Sequence, residues 1–452
     1  MSALDLALLA AILALATWRL VAPSRGRRAR LIACAATALL AVAQLVIAGF
    51  TWQFVTGWAL LAATALPVAA RRRRMRVLGG LGLTALLALA AVPWLVRPAL
   101  VLPQPTGPHA VGTRIFRLVD PAREEPATPE PADRRQLNVQ AWYPAEPGGG
   151  GRAPYIDGLG RLPPRISVFP SFIFARGGET DTRGVLDAPL SRRQPAWPVV
   201  VFSHGWGAIR GASTGLAVEL ASRGYIVLAL DHPYESAVAE LADGRVVATT
   251  GRSPDPGEDW PGYMLRLLQV RVADVRFVVD GVQAGRFGPG LDAGRIAAIG
   301  HSFGGATAAH AAGEDPRLRA SANLDGAVWS QVAAERFRGP FLLVQSDRAE
   351  TGHGDFFDAS NRDVLDRAAA GAWRYEIARA NHFSFTDAPL SFTRPGQWLV
   401  AQVMGGGRGA PDTIVATADL LDAFLSGPLK GAPGDIAAAA RRHPGVRGAR
   451  IR

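Results

Sequence analysis

A single cysteine, Cys34, occurs in 452 residues, which excludes an intramolecular disulfide and any cysteine-based metal cluster. Charge is also scarce: Asp, Glu, Lys and Arg make up 19% of the chain against 49% hydrophobic residues. That balance fits neither a disordered chain nor an ordinary soluble domain. Acidic residues are almost missing from positions 1–102, where Asp5 stands alone against eleven arginines and no lysine. This segment therefore carries +10 of the chain's +11. The 350 residues that follow are close to neutral, which excludes the broad basic face of a nucleic-acid binder. No internal repeat is present.

What positions 1–102 do contain is four apolar stretches, Ala3–Val21, Leu31–Phe50, Trp52–Ala70 and Val77–Val96. Each approaches the ~20 residues a helix needs to cross ~30 Å of hydrocarbon. The second and third run almost together and are divided at Gly49–Trp52, because one helix of their joint length would be about twice too long. A cleavable signal peptide would begin with a basic segment, whereas this chain starts Met-Ser-Ala-Leu-Asp. Arg25, Arg27, Arg28 and Arg30 lie between the first two stretches, and Arg71, Arg72, Arg73, Arg74 and Arg76 between the last two. The positive-inside bias puts both clusters in the cytoplasm and the large C-terminal body outside a multi-pass cell-membrane anchor. Trp18, Trp52, Trp58 and Trp94 fall near the expected interfaces. Deep ionisable side chains, which would mark an ion path, are not found in the stretches.

After a Pro- and charge-rich segment, Gln136–Tyr143 alternates apolar and polar residues as a half-buried strand does. Residues 152–195 read as an irregular insert carrying Phe169, Phe172 and Phe174, a lid or surface packing. Short apolar runs follow: Val199–Ser203, Tyr225–Leu230, Arg295–Ile299, Ala320–Leu324, Pro340–Val344 and Arg374–Ala378. Between and after them lie helical segments, Thr214–Ser222, Met264–Val282, Gly305–Ala312 and Thr413–Leu425. Alternating strands and helices imply an α/β fold, a mostly parallel sheet with helices on both faces. The expected division is a four-helix membrane domain at 1–102 and a linker with the first strand at 103–135. A catalytic domain at 136–430 and a flexible basic tail at 431–452 complete it.

The pattern G-x-S-x-G occurs twice, at Gly211–Gly215 (GASTG) and Gly300–Gly304 (GHSFG). The chemistry needs a strand entering a sharp turn and then a helix, so that the serine is thrust out at the sheet edge. Arg295–Ile299 supplies the strand and the small residues after Gly304 the helix, so Ser302 is the candidate nucleophile. No strand precedes GASTG, and Ser213 reads as a cap or packing residue. A serine hydroxyl needs a base, and the base an orienting acid, in the chain order Ser, acid, His. Of the downstream histidines, His310 lies on the following helix, His353 sits in a Gly- and Asp-rich loop that reads as surface, and His382 follows a strand. A loop at a strand's carboxyl end is where open α/β sheets bind ligands, which favours His382. Asp325 and Asp347 both end strands, and spacing alone does not separate them. The Gly-rich turn Phe202–Gly207 (FSHGWG) suits an oxyanion loop, with backbone N–H donors at Trp206 and at Phe303, the residue after the serine; His204 reads as shaping that loop.

The segments VFSHGWGAIRGASTGLAVELASRGYIVLALDHP, IAAIGHSFGGAT, ANLDGAVW and NHFSFTD resemble the α/β-hydrolase superfamily and, within it, the plasma-type platelet-activating factor acetylhydrolases. The resemblance covers roughly residues 136–387. It implies an α/β-hydrolase fold and assigns the acid to Asp325, 23 residues after Ser302 and 57 before His382. It also implies hydrolysis of a carboxylic ester through an acyl-serine, with no metal or organic cofactor, and short-chain or oxidised acyl phospholipids as substrates. Trp206, Trp329, Phe303, Phe383 and Phe385 are candidates to line an acyl pocket. Two alternatives remain: a polyester- or cutin-type hydrolase or broad carboxylesterase, and a membrane protein whose hydrolase-like body only binds.

Overall fold

The computed structural model describes residues 2–22, 26–66, 73–148, 150–156, 158, 161–166, 169–249, 254, 257–329 and 339–452. Arg25, Arg71, Arg72 and the end of the third apolar stretch, 67–70, lie outside them. The chain divides into two compact units. The first comprises Met1–Leu100, Pro170–Glu179 and Ser391–Gln397, and the second Val101–Phe169, Thr180–Leu390 and Trp398–Arg452.

The first unit holds helices α1 (Ala3–Val21), α2 (Arg27–Ala48), α3 (Phe54–Ala65) and α4 (Arg73–Ala91), the last continued by a tight turn at Val92–Leu95. Among the described residues three helices, not the four expected, are long and apolar enough to cross a membrane: Ala3–Val21, Arg27–Ala48 and Val77–Leu95. Among its described residues the third stretch forms the 12-residue α3, which at 1.5 Å per residue reaches about 18 Å. Leu8, Ile12, Phe54 and Leu60 pack inside the unit, while Ile32, Leu39, Val46, Leu78, Leu81 and Leu89 face outward. Ser2 and Asp5 form a capping box at the start of α1. The Asp5 carboxylate is fully buried and accepts from Gln44 Nε2 at 2.9 Å and Arg176 Nη1 at 2.7 Å. A buried carboxylate is tolerated only with such partners.

The second unit is built on ten strands: β1 (Ala110–Glu124), β2 (Arg134–Ala145), β3 (Val185–Leu186), β4 (Trp197–Ser203) and β5 (Ile226–Asp231), then β6 (Leu291–His301), β7 (Leu318–Leu324), β8 (Phe341–Ser346), β9 (Ala372–Ile377) and β10 (Val446–Arg450). They form one sheet in the order β10-β9-β8-β7-β6-β4-β5-β2-β1-β3. The six strands from β9 to β5 are parallel to one another, and β2 and β10 add antiparallel flanks. Every residue of β4, β5 and β8 is buried, which explains why these strands read as unbroken apolar runs. Helices α5 (Thr214–Ser222), α6 (Trp260–Gln283), α7 (Phe303–Glu314) and α8 (Asp355–Arg367) accompany the sheet, and Ala410–Leu425 packs on α5.

One expectation changes at the ends of this unit, that of the C-terminal tail. Residues 103–135, expected as a linker with the first strand, hold the whole of the 15-residue β1, whose pairing with β2 is irregular between Asp120 and Glu124. Pro121 falls in that irregular stretch, where a strand tolerates it, and it interrupts the alternating pattern. Residues 431–452, expected as a flexible tail, contain a helix at Ile436–Arg441 and strand β10 on the sheet edge. The segment VRGAR has no apolar alternation; backbone pairing and Arg450, 5.2 Å above the Trp373 ring, hold it. Its arginines blunt the edge against further pairing.

The register sets Gly300 of β6 level with Ser203 of β4 and Asn323 of β7. Beyond this level the chain turns through Ser302, at φ 56° and ψ −122°, directly into α7. A non-glycine residue in this region is strained by about 1–3 kcal/mol. The crossing also demands glycine, since a Cβ on Gly304 would stand 2.0 Å from the Ser203 carbonyl oxygen. Gly304→Ala should therefore lower stability by about 1–3 kcal/mol, measured as an earlier midpoint in thermal unfolding; an unchanged midpoint would mean that the crossing is not tight.

Candidate functional site

The carboxyl ends of β6, β7, β8 and β9 converge on Ser302, Asp325, Ser346 and the turn His382–Phe385. His382 Nε2 lies 3.0 Å from Ser302 Oγ, and its Nδ1 lies 2.8 Å from Asp325 Oδ2. A carboxylate only accepts, so Nδ1 carries the proton and Nε2 is left as the acceptor facing the serine hydroxyl. Of the two acids that spacing left open, Asp325 meets His382. Asp347 instead caps the single turn Arg348–Thr351 and accepts from Arg379 N at 2.7 Å.

Asp325 has φ 60°, and its side chain is wholly shielded from solvent. Burial by itself would raise its pKa, but hydrogen bonds from His353 and His382 hold the carboxyl well below the usual range. Ser346 adds its backbone N at 2.7 Å and its Oγ at 2.8 Å. His353, which read as a surface residue, sits with Nε2 2.8 Å from the other Asp325 oxygen. His310 lies buried on α7, where burial pushes its pKa down to about 4, away from the serine.

The turn bearing His382 is tied down on both sides. Asn381 caps it, with Oδ1 accepting from Phe383 N at 2.9 Å. His301 Nε2 lies 2.8 Å from the His382 carbonyl, and burial, then the nearby His382, push the His301 pKa down to about 3. A neutral His301 N–H therefore donates to that carbonyl. Five residues on, Asp387 accepts from Gly215 N at the start of α5 and from Tyr155 Oη at 3.2 Å. Burial raises the Asp387 pKa to about 7.

The Gly205–Trp206 turn approaches the serine closely, for a Cβ on Gly205 would lie 3.3 Å from Ser302 Cβ. The Gly205 carbonyl accepts from His204 Nδ1 at 2.6 Å, Ala208 N at 3.1 Å and Arg271 Nη2 at 3.4 Å. A trans peptide carries its N–H opposite its C=O, so these donors fix where the Trp206 N–H points. Arg271 also donates to the His204 carbonyl, pairs with Glu235 and lies 4.9 Å above the Phe303 ring. Beneath this loop, Ser203, His232 and Asp274 form a second serine–histidine–aspartate chain, at 2.9 Å and 2.8 Å. It is sealed from solvent and thus closed to substrate. Arg135 clasps Asp274 with two nitrogens. No pattern around these residues in the sequence announced the network.

Among the aromatic candidates, the rings of Trp206 and Phe383 are about half exposed, and Phe383 stands beside His382 with ring centroids 5.6 Å apart. Trp329 packs edge-on against Phe303 and Phe356. Phe385, expected at the pocket, is buried and stacks on His301, a support rather than a wall. Ser213 is buried behind the short turn Arg210–Ser213, as a packing residue. Among the described residues no group of three His, Cys, Asp or Glu side chains is arranged to hold a metal.

Residues 200–447 match the model of the alpha/beta hydrolase family, and residues 100–247 match that of platelet-activating factor acetylhydrolase, isoform II. A protein of Arthroderma benhamiae named as a probable 1-alkyl-2-acetylglycerophosphocholine esterase is 26% identical over 338 residues, 68% of this chain and 80% of its own length. The platelet-activating factor acetylhydrolase of Cavia porcellus is 26% identical over 262 residues, 50% of this chain and 55% of its own; the alignment thus spans only about half of that relative. The ferulic acid esterase structure from Streptomyces cinnamoneus superposes with a TM-score of 0.65 at 30% identity, over 77% of this chain and 99% of that one. The chain belongs to the α/β-hydrolase family and, within it, resembles the platelet-activating factor acetylhydrolases.

Proposed function

We propose that this protein, a carboxylic-ester hydrolase, works through an acyl-serine intermediate on Ser302. The observation that carries the reading is the unbroken chain from Ser302 Oγ through both His382 nitrogens to the buried Asp325 carboxylate. His382 Nε2 takes the hydroxyl proton as Oγ bonds to the ester carbonyl carbon. The same nitrogen returns that proton to the departing alkoxide. Water then attacks the acyl-serine, giving a proton to His382, and the carboxylic acid leaves with Ser302 restored. The negative charge on the tetrahedral oxygen falls to the backbone N–H groups of Trp206 and Phe303. Phe303 opens α7, and the first N–H groups of a helix lack intrahelical partners. Each such donor contributes about 2.7–4 kcal/mol to barrier lowering.

The names of the relatives favour an acetyl ester on a glycerophosphocholine, and the family resemblance widens this to short or oxidised acyl groups on phospholipids. Tethering supports that choice, because three helices can cross a membrane and a lipid ester is presented at its surface. Arg27, Arg28 and Arg30 open α2, and Arg73, Arg74 and Arg76 open α4. The positive-inside bias puts the starts of both helices in the cytoplasm, an arrangement that requires the stretch Trp52–Ala70 to return the chain across the membrane, and it leaves the body that follows α4 outside. A second reading, an esterase for aromatic acyl groups, is favoured by the ferulic acid esterase likeness.

Ser302→Ala and His382→Ala should each remove nearly all ester hydrolysis, and Asp325→Asn should lower turnover on the order of 10⁴-fold. Asp347→Asn should leave turnover near wild type; a large loss there instead would overturn the choice of acid. A fluorophosphonate should label Ser302 in the folded full chain, and the absence of labelling would favour a binding protein. Acetyl-phospholipid and feruloyl esters, compared by kcat/KM, should separate the two substrate readings. In a Cys34→Ser background, Arg447→Cys should react with an impermeant maleimide in intact cells and Arg28→Cys only after permeabilisation. The reverse pattern would invert the topology.

A further inference from the structure

Asp325 is shared between two imidazoles. His382 Nδ1 holds one carboxylate oxygen at 2.8 Å, and His353 Nε2 holds the other at 2.8 Å while lying 3.0 Å from Ser346 Oγ. The His353 ring lies flat on Phe357 of α8, with centroids 3.8 Å apart and planes 6° from parallel. That stack, with the left-handed Gly352 just before it, sets the ring edge-on to the carboxylate. Because an ionised carboxylate only accepts, His353 presents Nε2–H to it. Its side chain keeps 13% of its surface in contact with solvent, whereas that of Asp325 keeps none.

We propose that His353 is a positioning residue for ester hydrolysis, dividing the charge of Asp325 with His382 so that His382 stays an unprotonated base to lower pH. The proposal rests on the reading of Ser302, His382 and Asp325 given above. A carboxylate that gives part of its hydrogen-bonding capacity to one donor stabilises a second, charged partner less. Protonation of His353 acts in the same direction, since its positive charge would oppose a second one on His382. The neighbouring ionisable groups are turned elsewhere. Asp347 faces Ala349 N and Arg379 N, Asp358 is paired with Arg348 and Arg374, Asp355 is exposed on the first turn of α8, and His301 lies behind His382. His353 is thus the group on the elements around Asp325 that is placed to compete with His382 for it.

The test is the rate at which a fluorophosphonate labels Ser302, measured between about pH 5 and pH 9 on the full chain in detergent, because that rate follows the fraction of unprotonated base. His353→Phe keeps a ring on Phe357 but removes the donor, and His353→Gln keeps a neutral donor. His353→Phe should move the acidic midpoint up by about half a pH unit or more and lower the plateau rate on the order of tenfold. His353→Gln should lie between that variant and wild type. Should His353→Phe not fold, His353→Ala takes its place. A midpoint unchanged in the donor-less variant overturns the inference even where the plateau falls, since that outcome means packing alone. No labelling of Ser302 in the folded wild type defeats the underlying reading and this inference with it.

Discussion

A carboxylate with no solvent contact organises the candidate site, and it persists because donors surround it. Burying an unpaired carboxylate is prohibitive, yet Asp325 accepts from the backbone and hydroxyl of Ser346 and from two histidines. The three donor residues come from different places in the chain: the end of β8, the loop before α8 and the turn after β9. The parallel register that levels β7, β8 and β9 is thus a condition for the charge to exist at all. With the charge in place, the His382 tautomer is set, and the nitrogen facing Ser302 is an acceptor.

A second polar layer lies under the serine. Arg271, Glu235, His204 and the sealed Ser203–His232–Asp274 chain are buried together. Replacing such a layer with apolar side chains often costs nothing in stability, so its retention calls for another reason. Here it grips the carbonyls of His204 and Gly205 and supports the Phe303 ring, which joins both proposed oxyanion donors to one rigid base. Strain fits the same picture, as Ser302 and Asp325 both hold positive φ angles at the sheet edge, where overdetermined surroundings sustain them.

Much of the second unit was legible from pattern. The central strands are buried on both faces, so their apolar runs marked them, and the residues flanking Ser302 required a strand, a turn and a helix. The edges were harder to read. β10 is held by backbone pairing and an arginine over Trp373, neither of which leaves an apolar signature, and Pro121 breaks the pattern of β1. In the first unit, composition alone cannot tell a spanning helix from the 12-residue α3, because both are uniformly apolar.

At the site, the serine and the proposed base could be named from local context, since each stands where a strand meets a turn. The acid could not, because Asp325 and Asp347 both end strands and differ only in where their side chains go. His353 was a loop residue by every local measure, and only the folding of that loop onto α8 aims its ring at Asp325. The amino-acid order by itself determined the central strands, where the strained serine turn falls and that the first hundred residues hold apolar helices, because these depend on periodicity and neighbours. Which acid meets which histidine, and what lies beneath the oxyanion loop, only the tertiary structure decided, because those contacts join residues dozens to more than a hundred positions apart.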